Sequence, residues 1–235
     1  MYGRTLGTMA AAVLVACGGP APVMMGNDAG ITIPTDSGVM CANHIPNPDP
    51  NIANPMYGTL MGRSFQEFSV MGPTGPVATP LVDCDGHPHY FYGEQYCSAT
   101  HRFTVVSIAA GWCNPCMAES MLITDQLVNR YGSRGVRVIQ VLVQDANHLA
   151  PTQAFCRQWA STFGLSIAPN AAGVGSYELI DPQGITNEYF PDGYLPSTLI
   201  IDNQGVIRFH EDGLDAQNGM LTSIVGQLDR LLAGP

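Results

Sequence analysis

The sequence contains no lysine. All nine basic residues are arginine, against nineteen Asp and Glu, for a net charge of −10. Lysine-based catalysis, such as Schiff-base formation, is therefore excluded. A nucleic-acid partner is not expected either, because phosphate binding needs clustered positive charge and these arginines are scattered. No apolar run approaches the roughly 18 residues that a membrane-spanning helix needs. There is no internal repeat. There is also no second Cys-x-x-Cys, which a structural zinc site would usually require. What remains is a chain with 46% hydrophobic and 12% charged residues, rich enough in apolar side chains for a buried core.

Arg4 is the only charge in the first 27 residues, and an apolar run from Met9 to Ala16 ends at Cys17. Residues 1–16 have the layout of a signal peptide. Leu14-Val15-Ala16-Cys17 resembles a bacterial lipobox, which implies that Cys17 carries lipid as the first residue of the mature chain. The other reading is an ordinary secretion signal with an incidental cysteine. Either way the expected location is extracytoplasmic; the lipobox reading anchors the protein by lipid to a bacterial membrane, facing the periplasm or the cell exterior. Loss of Arg4 would leave eight arginines and a charge of −11. Disulfides persist in such a compartment, so the other six cysteines can be read as pairs.

Residues 17–62 are rich in Gly, Pro, Asn and Asp and read as a flexible linker. Cys41 interrupts it and could pin it to the domain. The pattern changes at 63, and 63–235 is expected to form one domain. Strand candidates are 65–70, 77–82 and 90–92, an N-terminal β extension, followed by the nearly continuous apolar run Phe103–Ala110. A helix is expected over 115–131, stopped by Gly132. Then come a core strand at 136–143, a helix at 151–163 closed by Gly164, a hairpin of 197–202 and 206–210 around Asn203-Gln204-Gly205, and a C-terminal helix at 216–232. The order is β-α-β-α-β-β-α: an α/β domain with a central mixed sheet flanked by helices.

Gly111-Trp112-Cys113-Asn114-Pro115-Cys116 falls where the buried strand ends and a helix begins. Two intervening residues let both sulfurs meet across one helical turn. Cys113 lies at the helix N-terminus, where unpaired N–H groups and the helix dipole favour a thiolate. Pro115 suits a first turn because its missing N–H is no loss there. The geometry implies that the Cys113 thiolate attacks a partner disulfide and that Cys116 resolves the mixed disulfide.

Trp112-Cys113-Asn114-Pro115-Cys116 after an apolar strand resembles the thioredoxin superfamily active site. The Cys-x-Pro-Cys form, the exported context and the β extension resemble its TlpA/ResA-like branch of redoxin/AhpC-TSA-like thiol–disulfide oxidoreductase lipoproteins. Gly193 to Gly205 resembles that family's cis-proline strand and hairpin. The resemblance covers about 63–232. It implies a thioredoxin-like fold, with no cofactor and no metal, and a cis bond before Pro196 that sets the Leu195 backbone beside the dithiol. It implies that Trp112 shields the site and that Glu119 assists proton transfer at Cys116; the competing reading of Glu119 is a solvated helix carboxylate. The expected activity is extracytoplasmic thiol–disulfide exchange, more often as a reductant. The partners would be exported or cytochrome-maturation proteins and a membrane or periplasmic electron donor. Cytoplasmic thioredoxins carry a buried acid six residues before the first Cys; Ser107 stands there in this chain, so Glu119 or water must take that role. The alternatives are a peroxiredoxin-like peroxidase, which Ala110 disfavours because a Thr or Ser is needed three residues before the reactive Cys, and a non-enzymatic lipoprotein binding copper or a partner.

Among the remaining cysteines, a Cys84–Cys97 disulfide would staple the β extension, leaving Cys41–Cys156. Four cysteines allow three pairings, and a free, buried Cys156 is a further reading. His87-Pro88-His89 beside Asp83 and Asp85 could be metal ligands or turn residues, and the proline between them favours a turn. His210 loosely resembles the distal histidine of copper-handling relatives, but those have a longer Cys spacing.

Overall fold

The computed structural model describes Met61 and residues 69–72, 75–78, 81–89, 98, 100–167, 176–217 and 219–234. The expected leader, Cys17 and the linker other than Met61 lie outside the described residues, as do Cys41, Cys97 and the strand candidate at 90–92.

Two short strands, β1 (Ser69–Gly72) and β2 (Gly75–Ala78), pair antiparallel with each other. The main sheet is built from β3 (Leu81–Asp83), β4 (Pro88–His89), β5 (Phe103–Ala110), β6 (Val136–Gln144), β7 (Ser176–Ile180), β8 (Ser197–Asp202) and β9 (Ile207–Asp212). Its spatial order is β4-β3-β7-β6-β5-β8-β9. The pairs β5–β6 and β6–β7 are parallel, and the outer pairs are antiparallel. β10 (Ala216–Gln217) and β11 (Met220–Leu221) form a small separate pair. The helices are α1 (Asn114–Ile123), α2 (Gln153–Phe163) and α3 (Thr222–Ala233). The chain of α1 runs on through a π-helical turn, Thr124–Val128, to a last α turn, Asn129–Tyr131. Among the described residues no helix is long and apolar enough to cross a membrane.

The central strands are buried along their whole length, as their apolar runs require: all eight residues of β5 and the first eight of β6 are covered. The β5–α1–β6 and β6–α2–β7 connections step in the same direction across the sheet, so right-handed crossovers bring α1 and α2 to one face. Side-chain contacts agree, since Ser120 on α1 and Trp159 on α2 both reach Gln140 on β6. α3 packs beside the end of the α1 run, where the Tyr131 hydroxyl donates to Val225 O and Asp229.

Register places a row of polar residues across this helix-covered face. Ser107 on β5 stands opposite Gln140 on one side and Thr198 on the other. Gln140 stands opposite Glu178, and Thr198 opposite Glu211. Glu178, Gln140, Ser107 and Thr198 are all buried. The site is assembled over this row.

The strand expected at 77–82 is divided between β2 and β3, the one expected at 65–70 is described from Ser69 onward as β1, and β4 was not expected because Pro88 reads as a turn residue. Three further differences lie later in the chain. β7 was not anticipated, because Tyr177 and Leu179 alternate with Ser176 and the buried Glu178, a pattern that reads as half-exposed. Its presence makes the order β-α-β-α-β-β-β-α. Pro151 precedes α2 rather than opening it: Thr152 is the cap, its side chain accepting from Phe155 N, and Gly164 closes the helix at φ +68°. The C-terminal helix starts at Thr222, because Ala216–Gln217 and Met220–Leu221 pair as β10 and β11.

Candidate active site

At the end of β5 the chain turns through Gly111 and Trp112 into α1. Gly111 has its N–H on Gln144 O at 2.8 Å. A Cβ there would lie 2.4 Å from Phe155 Cζ and 2.7 Å from Ala146 N, so the turn is pressed against α2 and the loop after β6. Cys113 is the N-cap of α1, with extended backbone, and its N–H donates to Ala110 O. Pro115 occupies the first turn as the sequence predicts.

Cys113 and Cys116 are joined as a disulfide. The Cys116 N–H donates to Cys113 Sγ at 3.1 Å, so this sulfur takes one of the helix's unpaired donors. That is the arrangement that stabilises negative charge when the bond opens and leaves a thiolate. Cys113 is 4% exposed and Cys116 is fully covered, so a visitor meets Cys113 first. Cys113 Sγ lies 3.5 Å from Leu195 O, and the Leu195–Pro196 bond is cis. The Leu195 backbone thus stands beside the dithiol, as expected.

Trp112 is 38% exposed. Its Nε1–H donates to Gln144 Oε1 at 2.7 Å, and its ring stacks on His148 with centroids 4.8 Å apart. The pairing of β5 with β6 shifts between Ala109 and Ala110, so that Val143 is an extra residue and Gln144 stands opposite Ala110. This bulge brings Gln144 to the indole. His148 is held with φ +62°. Sequence reasoning found Trp112 but neither of these supports, since no local signal marks the bulge.

Glu119 is 1% exposed, one turn beyond Cys116 on the buried side of α1. The solvated-carboxylate reading is thereby excluded. Burial pushes its pKa up to about 7, against the hydrogen bonds from Thr198 and Ser107, with the negative charge of Glu211 adding to the rise. Thr198 Oγ1 donates to Glu119 Oε1 at 3.0 Å. Ser107, the residue six before Cys113, therefore serves the carboxylate rather than replacing it: α1 delivers the acid and β5 supplies a hydroxyl to it.

The cysteine pairing is corrected. Cys84 bonds Cys156 at 2.03 Å, not Cys97, and Cys156 is not left for Cys41. β3 runs antiparallel beside β7, with Asp83 opposite Leu179, and Cys84 lies just after it, in the turn toward the edge strand β4, where it reaches α2. Arg157 on α2 donates from Nη1 to Cys84 O at 2.6 Å. Proximity along the chain pointed to Cys97, whereas the fold joins residues 72 apart.

His87 and His89 both face one carboxylate. His87 Nδ1 lies 3.1 Å and His89 Nε2 3.2 Å from Asp83 Oδ2. Burial raises the Asp83 pKa, but bonds from the His87 backbone, both imidazoles and the Asp85 backbone outweigh it and hold the group below its ordinary value. Among the described residues no group of three His, Cys, Asp or Glu is arranged to hold a metal ion. His210 Nε2 lies 3.0 Å from Ser197 Oγ and 3.1 Å from Tyr189 O, part of the support under the cis-proline strand.

Two buried residues escaped the sequence reading. Gln140 accepts from Ser120 and Trp159 and donates to Ser107. Glu178 is fully buried, neither carboxylate oxygen has a hydrogen-bond partner among the described residues, and burial raises its pKa well above the ordinary value. Both become apparent only from strand register.

Residues 73–228 match the family model for Redoxin. No curated protein matches the sequence. Among solved structures, a Bacteroides thetaiotaomicron protein provisionally described as a protein disulfide isomerase is 16% identical, with a TM-score of 0.54 over 75% of this chain and 92% of its own. An uncharacterized conserved protein from Geobacillus kaustophilus is 18% identical, with a TM-score of 0.52 over 75% of this chain and 84% of its own. A hypothetical protein from Sinorhizobium meliloti 1021 gives 13% and 0.51 over 66% of this chain and 80% of its own. At these identities the likeness is one of fold, which is thioredoxin-like.

Proposed function

Because this chain belongs to the Redoxin family, we propose that it is an extracytoplasmic thiol–disulfide oxidoreductase, held to a membrane by lipid on Cys17, that reduces disulfides of exported proteins through Cys113 and Cys116. The observation that carries this reading is the placement of Cys113 Sγ, which takes the Cys116 N–H at the start of α1 and faces Leu195 O beside the cis Pro196.

In the reduced protein the Cys113 thiolate attacks one sulfur of a partner disulfide. A new S–S bond forms to Cys113, and the partner's second sulfur leaves as a thiolate that takes up a proton. Cys116 then loses its proton to Glu119 and attacks Cys113 Sγ. The Cys113–Cys116 bond forms, and the partner's first sulfur leaves with the two electrons of the broken bond, drawing a proton from Glu119 or water. An acid with a pKa near 7 suits both directions of that transfer. Trp112, braced by Gln144 and His148, walls one side of the site, and the Leu195 backbone offers an edge to an extended partner chain. A membrane or periplasmic donor returns the disulfide to the dithiol.

The test is a trap. Cys116→Ser in the full chain leaves Cys113 able to attack and unable to be resolved. Mixed disulfides to exported proteins should accumulate on Cys113, and the wild type should reduce insulin with a reversible Cys113–Cys116 couple. If nothing is captured while the wild type still cycles between oxidation states, exchange with partner disulfides is wrong.

A further inference from the structure

We infer that Trp159, on α2, controls the base Glu119 from a distance by fixing the orientation of Gln140 and, through it, the direction of the Ser107 hydroxyl. The inference rests on the reading of Glu119 as the proton acceptor for Cys116.

Donor and acceptor roles along this path are forced. An indole N–H can only donate, so the Gln140 atom 2.8 Å from Trp159 Nε1 must be oxygen. Ser120 Oγ lies 2.9 Å from that oxygen and 2.8 Å from Cys116 O, so its single hydrogen has two acceptors and the indole is the donor that fixes the amide. The other end of the amide is then NH₂, and it donates to Ser107 Oγ at 3.1 Å. With that donor against it, the single Ser107 hydrogen turns to Glu119. All five side chains are buried, Trp159 at 4% and the others at 1% or less, so water offers little substitute for any link. The path is directional: Trp159 to Gln140, Gln140 to Ser107, Ser107 to the carboxylate.

Without the indole donor the amide is free to turn over. Ser120 could then accept from its NH₂, and Gln140 oxygen would face Ser107 and draw away the hydrogen that Glu119 now receives. Glu119 would keep only Thr198 as a donor. Losing a bond that favours the charged form raises a carboxyl pKa. Among the described residues, the groups acting on Glu119 are Ser107 from β5, Thr198 from β8 and, through space, the charge of Glu211 on β9. None of these belongs to α2, so its effect must pass through Gln140.

The experiment follows the Glu119 carboxyl by ¹³C NMR titration in the disulfide form of the full chain. Trp159→Phe and Ser107→Ala should each raise its midpoint by about one pH unit. The double variant should shift no further than either alone, because both remove the same hydrogen. Gln140→Leu leaves Ser107 free to keep donating to Glu119, so its midpoint should stay near wild type although packing is altered. An unmoved midpoint in Trp159→Phe, or a double variant equal to the sum of the singles, overturns the inference. Should Trp159→Phe not fold, a rise in Gln140→Leu as large as in Ser107→Ala overturns it equally. The reading beneath it is tested separately. A wild-type pH–rate profile for insulin reduction by Glu119→Gln would remove Glu119 from the chemistry without touching the midpoints.

Discussion

Gly111 shows how tightly one position can constrain the site. The atoms nearest an added Cβ include the tip of the Phe155 ring, which can swing, but also Ala146 N and Asp145 C, which are backbone and cannot. Gly111→Ala should therefore displace the turn that carries Trp112 and Cys113. We expect a loss of about 1–3 kcal/mol in chemical denaturation and slower alkylation of reduced Cys113. Wild-type stability and reactivity would show that the turn yields freely. At this scale much of the site was legible. Cys113, Cys116, Glu119 and Pro196 sit in motifs fixed by chain order, and a motif can be read without coordinates. Gln144 and His148 behind Trp112 could not be read, because a bulge between distant residues brings Gln144 there. For Glu119 the sequence leaves a solvated helix carboxylate and a proton-transfer role at Cys116 both open, and its burial on α1 removes the first.

Elements tell a similar story. β5, α1, β6 and the β8–β9 hairpin were readable from apolar runs, a Pro-marked helix start and the Asn203-Gln204-Gly205 turn, whose Asp202 carboxylate accepts from Gln204 and Val206 N–H. β7 was hidden by its own chemistry, because a buried Glu178 in its centre imitates an exposed face. The pairing of Cys84 was hidden by topology, because β3 lies against a strand far along the chain. That disulfide ties the turn between β3 and β4 to α2 across 72 residues. Chain-entropy arguments give such a loop about 4 kcal/mol. The Cys84→Ser/Cys156→Ser double variant should lose stability of that order in denaturant titration while retaining a Cys113–Cys116 couple. If the couple disappears too, the second disulfide is part of the redox machinery rather than a tie.

Across the whole molecule, the polar row leaves a pH signature. Glu178 has no hydrogen-bond partner among the described residues, and burial keeps it protonated in the folded state well above its ordinary value. Between the unfolded and folded pKa values the unfolded chain has already released this proton while the native state still holds it. The native state then binds more protons, and stability falls as pH rises. Glu178→Gln removes this loss. Thermal unfolding should show the variant gaining on wild type from about pH 5 upward, by a few degrees at neutral pH, with little difference near pH 4. Equal slopes in the two proteins would mean that Glu178 finds a partner for its charge.

The order in which the strands lie carries a consequence for how the chain matures. β3 comes early in the sequence but has its place beside β7, and Cys84 has its partner on α2. A chain emerging from its N-terminus therefore offers Cys84 long before Cys156 exists, and the dithiol loop is complete while the sheet still lacks an edge. The seam between β3 and β7 joins the first strand of the main sheet to its fifth, so it can close only after β5 and β6 exist. Until then a nascent chain holds an unpaired thiol that must wait, and Cys97, only 13 residues away, is the neighbour it must not take.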